Sequence, residues 1–314
     1  MGRAGVPPRP ASRYALPALT IAVVNAAGLA ALWLVAGPGD PLGAGWMALA
    51  AAVVGVASTA ICLGVAIPAL RRLSWLAEGT LLELAQPEHP LLRRLEDEAP
   101  GTYHHSILVG ALAERAARAI GADALLAKVG AYYHDIGKLT QPAVFIENSF
   151  DGGPSPHDAM DAFVSTDAIR RHVPAGLDLA RRYRLPPTVS AFIAEHHGTG
   201  MVSYFYRQAF AADPTLDPER FRYAGPVPQT RETAIVMLAD SCEAAVRAGL
   251  QGDRRPIETI VAEVLADRLG GGQLDDSGIR EDLQLVAASF TATLKAIHHP
   301  RIPYPAAPAP NSPP

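Results

Sequence analysis

The chain has 314 residues and a formal net charge of −4, from 27 basic and 31 acidic side chains, and 49% of its residues are hydrophobic. A nearly balanced charge without a basic stripe argues against long nucleic acid as a partner, and the length and high apolar content are enough for one sizeable domain plus membrane segments. Two cysteines, Cys62 and Cys242, are too few for a disulfide framework and fit a reducing compartment.

Two uncharged stretches near the N-terminus predict a transmembrane hairpin over residues 14–72. They cover residues 14–36 and 44–70, and each exceeds the roughly 20 residues that cross a bilayer as a helix. Arginines precede the first stretch, within residues 1–13, and follow the second, so both ends are expected in the cytoplasm. This predicts a multi-pass protein of the inner, cytoplasmic membrane. A cleaved signal peptide is the alternative for the first stretch.

The rest of the chain has mainly helical periodicity. Residues 73–97 predict a short juxtamembrane connector, and residues 98–299 predict an all-α domain. The predicted helices are 104–120, 124–136, 166–172, 175–184, 187–197, 200–210, 231–248, 256–269 and 281–297. The long loop 140–158 is a candidate lid over a substrate. Residues 300–314, rich in proline and alanine, predict a disordered tail.

Histidines and aspartates recur within or at the ends of these predicted helices. The candidates for metal binding are the pair His104 and His105, with His134, Asp135, His172, His196, His197 and Asp240. Side chains from several helices of a bundle can meet in one core. Imidazole and carboxylate ligands suit manganese, iron or zinc, and a carboxylate such as Asp135 can bridge two ions. Cys242 is not expected to join them, because two residues beyond Asp240 it lies on the opposite face of the helix.

These residues and the sequence around them resemble a known family, the HD-domain metal phosphohydrolases with two metals. The flanking segments are similar to the membrane-anchored, seven-transmembrane-HD branch, which hydrolyses cyclic di-AMP. They read EAPGTYHHS (98–106), VGAYYHDIGKL (129–139), FIEN (145–148), EHHGT (195–199), YFY (204–206) and PQTRETAIVMLADSCEAAVR (228–247). Members of that branch carry seven spans, whereas two are predicted in this sequence.

The resemblance implies an HD-domain helical bundle with a dinuclear centre. One ion would be held by His105, His134, Asp135 and Asp240, and the other by Asp135, His172, His196 and His197. Manganese or ferrous ions are the expected metals. Two ions about 3.5 to 4 Å apart lower the pKa of a shared water, so the expected nucleophile is hydroxide.

Other residues are candidates for contacts with a substrate. Lys138 could reach a phosphate as a point charge, and a solvated lysine at a helix end is the alternative. Tyr204 and Tyr206 could stack on a purine, with packing in the core as the alternative. Further candidates are Asn148, His157, Thr199 and Arg207.

The sequence therefore predicts a membrane-anchored phosphodiesterase that opens cyclic di-AMP, a small cyclic dinucleotide, to linear 5′-pApA. One alternative is an HD phosphohydrolase for cyclic di-GMP, a nucleoside monophosphate or an alarmone. Another is a non-catalytic nucleotide receptor, which the complete ligand set disfavours. The connector could also pair with its copy in a homodimer.

Overall fold

The computed structural model describes residues 24–25, 27–28, 41–61, 78–149, 155–251 and 255–298. The chain divides into two compact units, Met1–Thr80 and Leu81–Pro314. The first unit contains helix α1, Pro41–Ile61.

The predicted transmembrane hairpin is not confirmed. Of its first span, residues 14–36, the structure describes positions 24–25 and 27–28, and of its second span, 44–70, it describes the part up to residue 61. Within the described ranges, no helix combines the length and the apolar character needed to cross a bilayer. The predicted N-terminus (1–13) and Pro-rich tail (300–314) lie outside the described residues.

The second unit is built from helices, which confirms the predicted all-α domain. Its α-helices are α2 (Pro90–Glu98), α3 (Pro100–Ile120), α4 (Ala124–Tyr133), α5 (Ala162–Arg170), α6 (His172–Arg182), α7 (Pro187–Glu195), α8 (Ser203–Ala212), α9 (Arg231–Gln251), α10 (Ile257–Gly270) and α11 (Leu283–Ile297). Short 3-10 helices cover Ile136–Thr140, Pro142–Val144, Ile146–Asn148, Pro156–Ala159, Pro218–Phe221 and Arg280–Asp282. The described part of the unit also contains one isolated β-bridge, between Met201 and Arg222.

Local sequence explains where the helices begin and end near the centre of the domain. Pro100 occupies the first turn of α3, where a missing N–H costs nothing, and the helix ends at Gly121, whose φ of 69° favours glycine. The side chain of Asp123 accepts a hydrogen bond from the N–H of Leu126 and so starts α4. The helix predicted over 124–136 ends earlier, at Tyr133, and a 3-10 helix continues the chain.

Two apolar clusters form most of the core. The larger one joins α3, α4, α9, α10 and α11, and its buried members include Leu112, Met237 and Phe290. The smaller one lies under α2 and includes Leu91, Leu95 and Tyr133. Buried leucines of this kind each stabilise a fold by about 1.5–3 kcal/mol. Part of the predicted connector, 73–97, therefore contributes to the domain core.

Candidate metal centre

His105 lies on the face of α3 that packs against α9. Its side chain is 5% exposed, and each ring nitrogen faces a carboxylate of α9. Nδ1 lies 2.6 Å from Oε2 of Glu243, and Nε2 lies 3.0 Å from Oδ1 of Asp240. The two acidic residues are three positions apart and share one face of that helix. His105 is thus fixed between them.

His134 and Asp135 lie just after the end of α4, and both side chains are buried. Nδ1 of His134 donates a hydrogen bond of 2.6 Å to the carbonyl oxygen of Ala131, which leaves Nε2 with its lone pair. This Nε2 and Oδ1 of Asp135 are buried without a hydrogen-bond partner. Buried polar atoms without a partner are rare, because removing them from water costs free energy that no hydrogen bond offsets. A bound cation is the natural partner for both atoms.

Two further histidines direct lone pairs at the same carboxylate. Nδ1 of His172 donates to the carbonyl oxygen of Ile169, and Nδ1 of His196 donates to that of Ile193. Each Nε2 lies 3.5 Å from Oδ1 of Asp135, and the two Nε2 atoms are 3.2 Å apart. Lone pairs that converge in this way repel one another unless a cation lies between them.

All seven predicted ligands meet in this region of the domain. They form two groups in which the ligand atoms lie within 4.8 Å of one another, Asp135–His172–His196–His197 and His105–His134–Asp240. Oδ2 of Asp135 is 3.3 Å from Nε2 of His134 and 4.0 Å from Nε2 of His105, so this carboxylate lies between the groups. The donor set of imidazoles and carboxylates fits a divalent transition metal.

Burial and neighbouring charges set the protonation of these groups. Burial alone would lower the pKa of His105, but Asp240 and Glu243 raise it to about 9. Burial lowers the pKa of His172 to about 4 and that of His197 well below its ordinary value. Burial would raise the pKa of Asp240, yet its hydrogen bond with His105 holds it below the usual range. His172, His197 and Asp240 are therefore in the forms that bind metal at neutral pH.

Lys138 points towards this centre. Its Nζ lies 2.8 Å from Oδ2 of Asp135 and 2.6 Å from Oε1 of Glu147. Burial would lower the pKa of this ammonium group, but Asp135 and Glu147 raise it above its ordinary value, so it is charged. Glu147 also accepts a hydrogen bond from Oγ1 of Thr102. The lysine is held in a buried ion pair, which disagrees with the solvated alternative.

Known proteins share this fold and much of this sequence. The sequence model of the HD-domain family matches residues 102–245 of this chain. The HD domain of the phosphodiesterase PgpH from Listeria monocytogenes, crystallised in complex with cyclic di-AMP, matches with a TM-score of 0.65 and 38% identity, over 68% of this chain and 100% of that one. This chain belongs to the HD-domain family.

Longer relatives of this HD-domain chain are also similar. The cyclic di-AMP phosphodiesterase PgpH of Bacillus subtilis is 40% identical over 264 residues, which cover 84% of this chain and 37% of PgpH. An uncharacterised protein of Synechocystis sp., slr0104, is 43% identical over 296 residues, which cover 92% of this chain and 35% of slr0104. The chain thus spans about a third of the length of the curated relatives it matches.

Three of the predicted substrate contacts, Tyr204, Tyr206 and Arg207, lie on α8 of this HD domain. Tyr204 is 74% exposed and packs edge-on against Phe205. Tyr206 packs against Phe210 and Phe221 in a small apolar cluster. Arg207 is exposed. Their roles as substrate contacts stay predictions.

The other predicted substrate contacts have hydrogen-bond partners within the protein. The amide of Asn148 accepts from the N–H of Thr102 and donates to its Oγ1. Nε2 of His157 lies 2.9 Å from the carbonyl oxygen of Val144. Thr199 exchanges two hydrogen bonds with the side chain of Gln273. The six predicted contacts are Asn148, His157, Thr199, Tyr204, Tyr206 and Arg207. In the described ranges, none of them lines the cavity that opens at the metal centre.

Three residues of the site were missed by sequence reasoning. Glu243 has a signal, because it lies three positions after Asp240 and so on the same helix face. Glu147 lies in the segment FIEN, and nothing in its spacing links it to Lys138. Tyr223 stacks on His197 with ring centroids 4.2 Å apart and an interplanar angle of 24°. It comes from the loop after α8 and has no periodic signal.

Proposed function

We propose that this chain is a metal-dependent phosphodiesterase that hydrolyses cyclic di-AMP to linear 5′-pApA. The observation that carries the proposal is the convergence of five histidines and two aspartates on one buried centre in the described part of the chain. The similarity to the PgpH HD domain crystallised with cyclic di-AMP supports this choice of substrate.

Two divalent ions, manganese or ferrous, would be the cofactors of this centre. His105, His134 and Asp240 would hold one, and His172, His196 and His197 the other, with Asp135 shared between them. Such ions supply an activated water and neutralise charge on the phosphate. The two unpartnered buried atoms, on His134 and Asp135, support the fit of a metal at this position.

Other residues of the chain would bind the substrate and position the groups that contact it. Lys138 lines the cavity at the centre, where its positive charge can face a phosphate oxygen. Glu147 holds the ammonium group of Lys138 in place. Water adds to one phosphorus and the P–O3′ bond breaks, so that the leaving 3′-oxygen takes up a proton. The product then carries a free 5′-phosphate and a free 3′-hydroxyl.

One chromatography experiment tests the activity. The full chain, loaded with manganese or ferrous ion, is incubated with cyclic di-AMP, cyclic di-GMP and guanosine tetraphosphate. We expect 5′-pApA as the main product, and we expect Asp135→Ala to abolish turnover and metal loading together. Preference for another nucleotide would redirect the proposal to that substrate, and binding without turnover would make the chain a receptor.

We further propose that residues 14–72 anchor the chain in the cytoplasmic membrane with the catalytic domain in the cytoplasm. The two uncharged stretches and the flanking arginines support this arrangement. The test is extraction of membranes with alkaline carbonate. The full chain should stay in the membrane pellet, whereas release into the supernatant would contradict the anchor.

A further inference from the structure

A cleft leads away from the metal centre. The cavity encloses about 560 Å³: one end is lined by residues around the metal centre, among them His105, Lys138 and His197, and the other end extends between α9 and α10. A second cavity of about 370 Å³ shares Ala245 and Val264 with it, so the cleft continues along the same two helices. From Asp240 to Gly249 it follows nine residues of α9, about 14 Å at 1.5 Å per residue. This is far longer than a single phosphodiester requires.

The wall formed by α9 is lined by small side chains. Ser241, Ala244 and Ala245 line the first cavity, and helical spacing places them on one face. Small side chains leave room for a bulky ligand close to the helix. The opposite wall, on α10, contributes Val264 and Arg268.

Arg268 is anchored beside the metal ligands. Its Nε and Nη2 atoms each lie 3.2 Å from Oγ of Ser241, the residue that follows Asp240. Its Nη1 pairs at 3.0 Å with Asp267, whose side chain is 74% exposed. An ion pair in solvent contributes little, so a ligand can replace it. A guanidinium group is always charged, and its planar fork matches two oxygens of a phosphate.

The other charged side chains of the cleft are already engaged. Arg247 reaches Oε1 of Glu243 at 3.5 Å, and Glu243 orients His105. Glu263 pairs with Arg255. Among the described residues that line the cavity next to the metal centre, Arg268 is the cation that is held by a neutral hydroxyl, that of Ser241, and its carboxylate partner Asp267 is solvent-exposed.

We propose that Arg268 binds the phosphate that is not cleaved, and so selects cyclic dinucleotides over simpler phosphodiesters. The inference rests on the proposed function, because a cyclic dinucleotide carries two phosphodiesters in one ring. When one of them lies at the metal ligands, the other must occupy adjoining space. The cleft between α9 and α10 supplies that space, with Arg268 on its wall.

The test compares two substrates on the manganese-loaded full chain. Cyclic di-AMP carries two phosphodiesters, and bis(p-nitrophenyl) phosphate carries one. Arg268→Gln should lower the ratio of kcat/KM for cyclic di-AMP to that for bis(p-nitrophenyl) phosphate by about tenfold or more, through a higher KM, as expected for a lost charge-assisted contact. Arg268→Lys keeps the charge but not the fork and should lower the ratio less.

The controls separate a binding role from a structural one. Arg118→Gln removes an arginine that is 67% exposed and pairs with Glu114 on the outside of α3, and it should leave the ratio unchanged. If Arg268 served only to join α10 to Ser241, Ser241→Ala and Arg268→Gln would lower Tm together and reduce both activities equally. That result, or an unchanged ratio in Arg268→Gln, overturns the inference.

The same data distinguish the two proposals. A wild-type chain that cleaves bis(p-nitrophenyl) phosphate but not cyclic di-AMP contradicts the proposed function. Wild-type turnover of cyclic di-AMP with an unchanged ratio in both Arg268 variants contradicts only the role of Arg268. Should Arg268→Gln fail to fold, the lysine variant decides, because it retains the aliphatic stem and the charge.

Discussion

At the residue scale, three of the proposed metal-binding histidines are oriented by the ends of helices. His134, His172 and His196 each follow the last residue of a helix by one or two positions. The last carbonyl groups of a helix lack partners within it, and each Nδ1 donates to the carbonyl three residues before it. One contact therefore satisfies the backbone and directs Nε2 at the centre.

His105 lies within α3, where no free carbonyl group is available to its ring. The carboxylate of Glu243 pairs with Nδ1 of His105 instead. We expect Glu243→Gln to weaken metal binding by about tenfold, because partners that orient a metal ligand typically contribute 10–100-fold to affinity. A manganese titration of the full chain measures the affinity, and turnover should recover at high manganese concentration.

The matched control for this prediction is Glu114→Gln, which removes a carboxylate paired with Arg118 and Lys128 at the surface. It should leave the metal affinity unchanged. Equal affinities in the wild-type chain and in Glu243→Gln would show that Asp240 alone is enough to orient His105.

At the scale of elements, the sequence predicts most helices because their periodicity and end signals are local. Gly121 marks the end of α3 as predicted. The seven proposed ligands are predictable from residue type together with the resemblance to a known family, which selects His105 rather than His104. The end of α4 is not, because the chain leaves the α-helix at Tyr133 to bring Asp135 between the two ligand groups.

Contacts between distant segments could not be predicted from the sequence. The pairing of Lys138 with Glu147 depends on how the loop after α4 folds back, and the stacking of Tyr223 on His197 depends on the loop after α8. Neither loop has a period that reports its path.

Gly137 sets how closely the 3-10 helix that follows Asp135 approaches α6. A methyl group on this residue would overlap the carbonyl oxygen of His172 and lie 2.6 Å from the backbone nitrogen of Gly176. Gly137→Ala should therefore separate Asp135 from His172. We expect the free energy of unfolding to fall by about 1–3 kcal/mol, the usual cost of overpacking, with loss of metal loading.

Thermal unfolding and metal analysis of the variant test this expectation. Gly270→Ala is the control, since a methyl group there meets nothing within 4 Å at the end of α10. It should leave Tm and metal content at the wild-type values. A Gly137→Ala chain with normal metal content would mean that the two segments can move apart without disturbing the centre.

At the scale of the whole domain, the proposed ligands tie together parts of the chain that are far apart in sequence. They come from α3, the end of α4, the start of α6, the end of α7 and the middle of α9. Metal that binds only the folded chain stabilises it by about 2.7 kcal/mol at a hundred times Kd. For a domain of this size, each kcal/mol shifts Tm by roughly 2–4 °C.

Removal of metal with a chelator should therefore lower Tm by several degrees, and added manganese should restore it. Differential scanning calorimetry of the full chain measures the shift. In Asp135→Ala, the variant without the shared carboxylate, the chelator should change Tm little. A wild-type Tm that does not respond to chelation would contradict the coupling of these segments through metal.

The metal-free domain should be most stable near neutral pH. The pKa of His172 is about 4 in the folded chain, because of burial, against about 6.5 when unfolded. The unfolded chain therefore binds more protons between these values, and stability falls as the pH drops from about 6.5 to 4. His197 acts in the same direction. The carboxylate of Asp240, whose pKa is lowered, adds a further loss below about pH 4.

The titration of His105 changes the stability of the folded chain in the opposite direction. Its pKa is about 9 in the folded chain, because Asp240 and Glu243 outweigh the effect of burial, so its contribution is complete below about pH 6.5 and is lost as the pH rises to about 9. Urea unfolding of the chelated chain from pH 4 to 9 should thus give a maximum near pH 6.5. In Glu243→Gln the alkaline loss should shrink, since one of the two carboxylates that hold the proton is gone. A wild-type stability that stays constant from pH 6.5 to 9 would rule out a charged His105 between these two carboxylates.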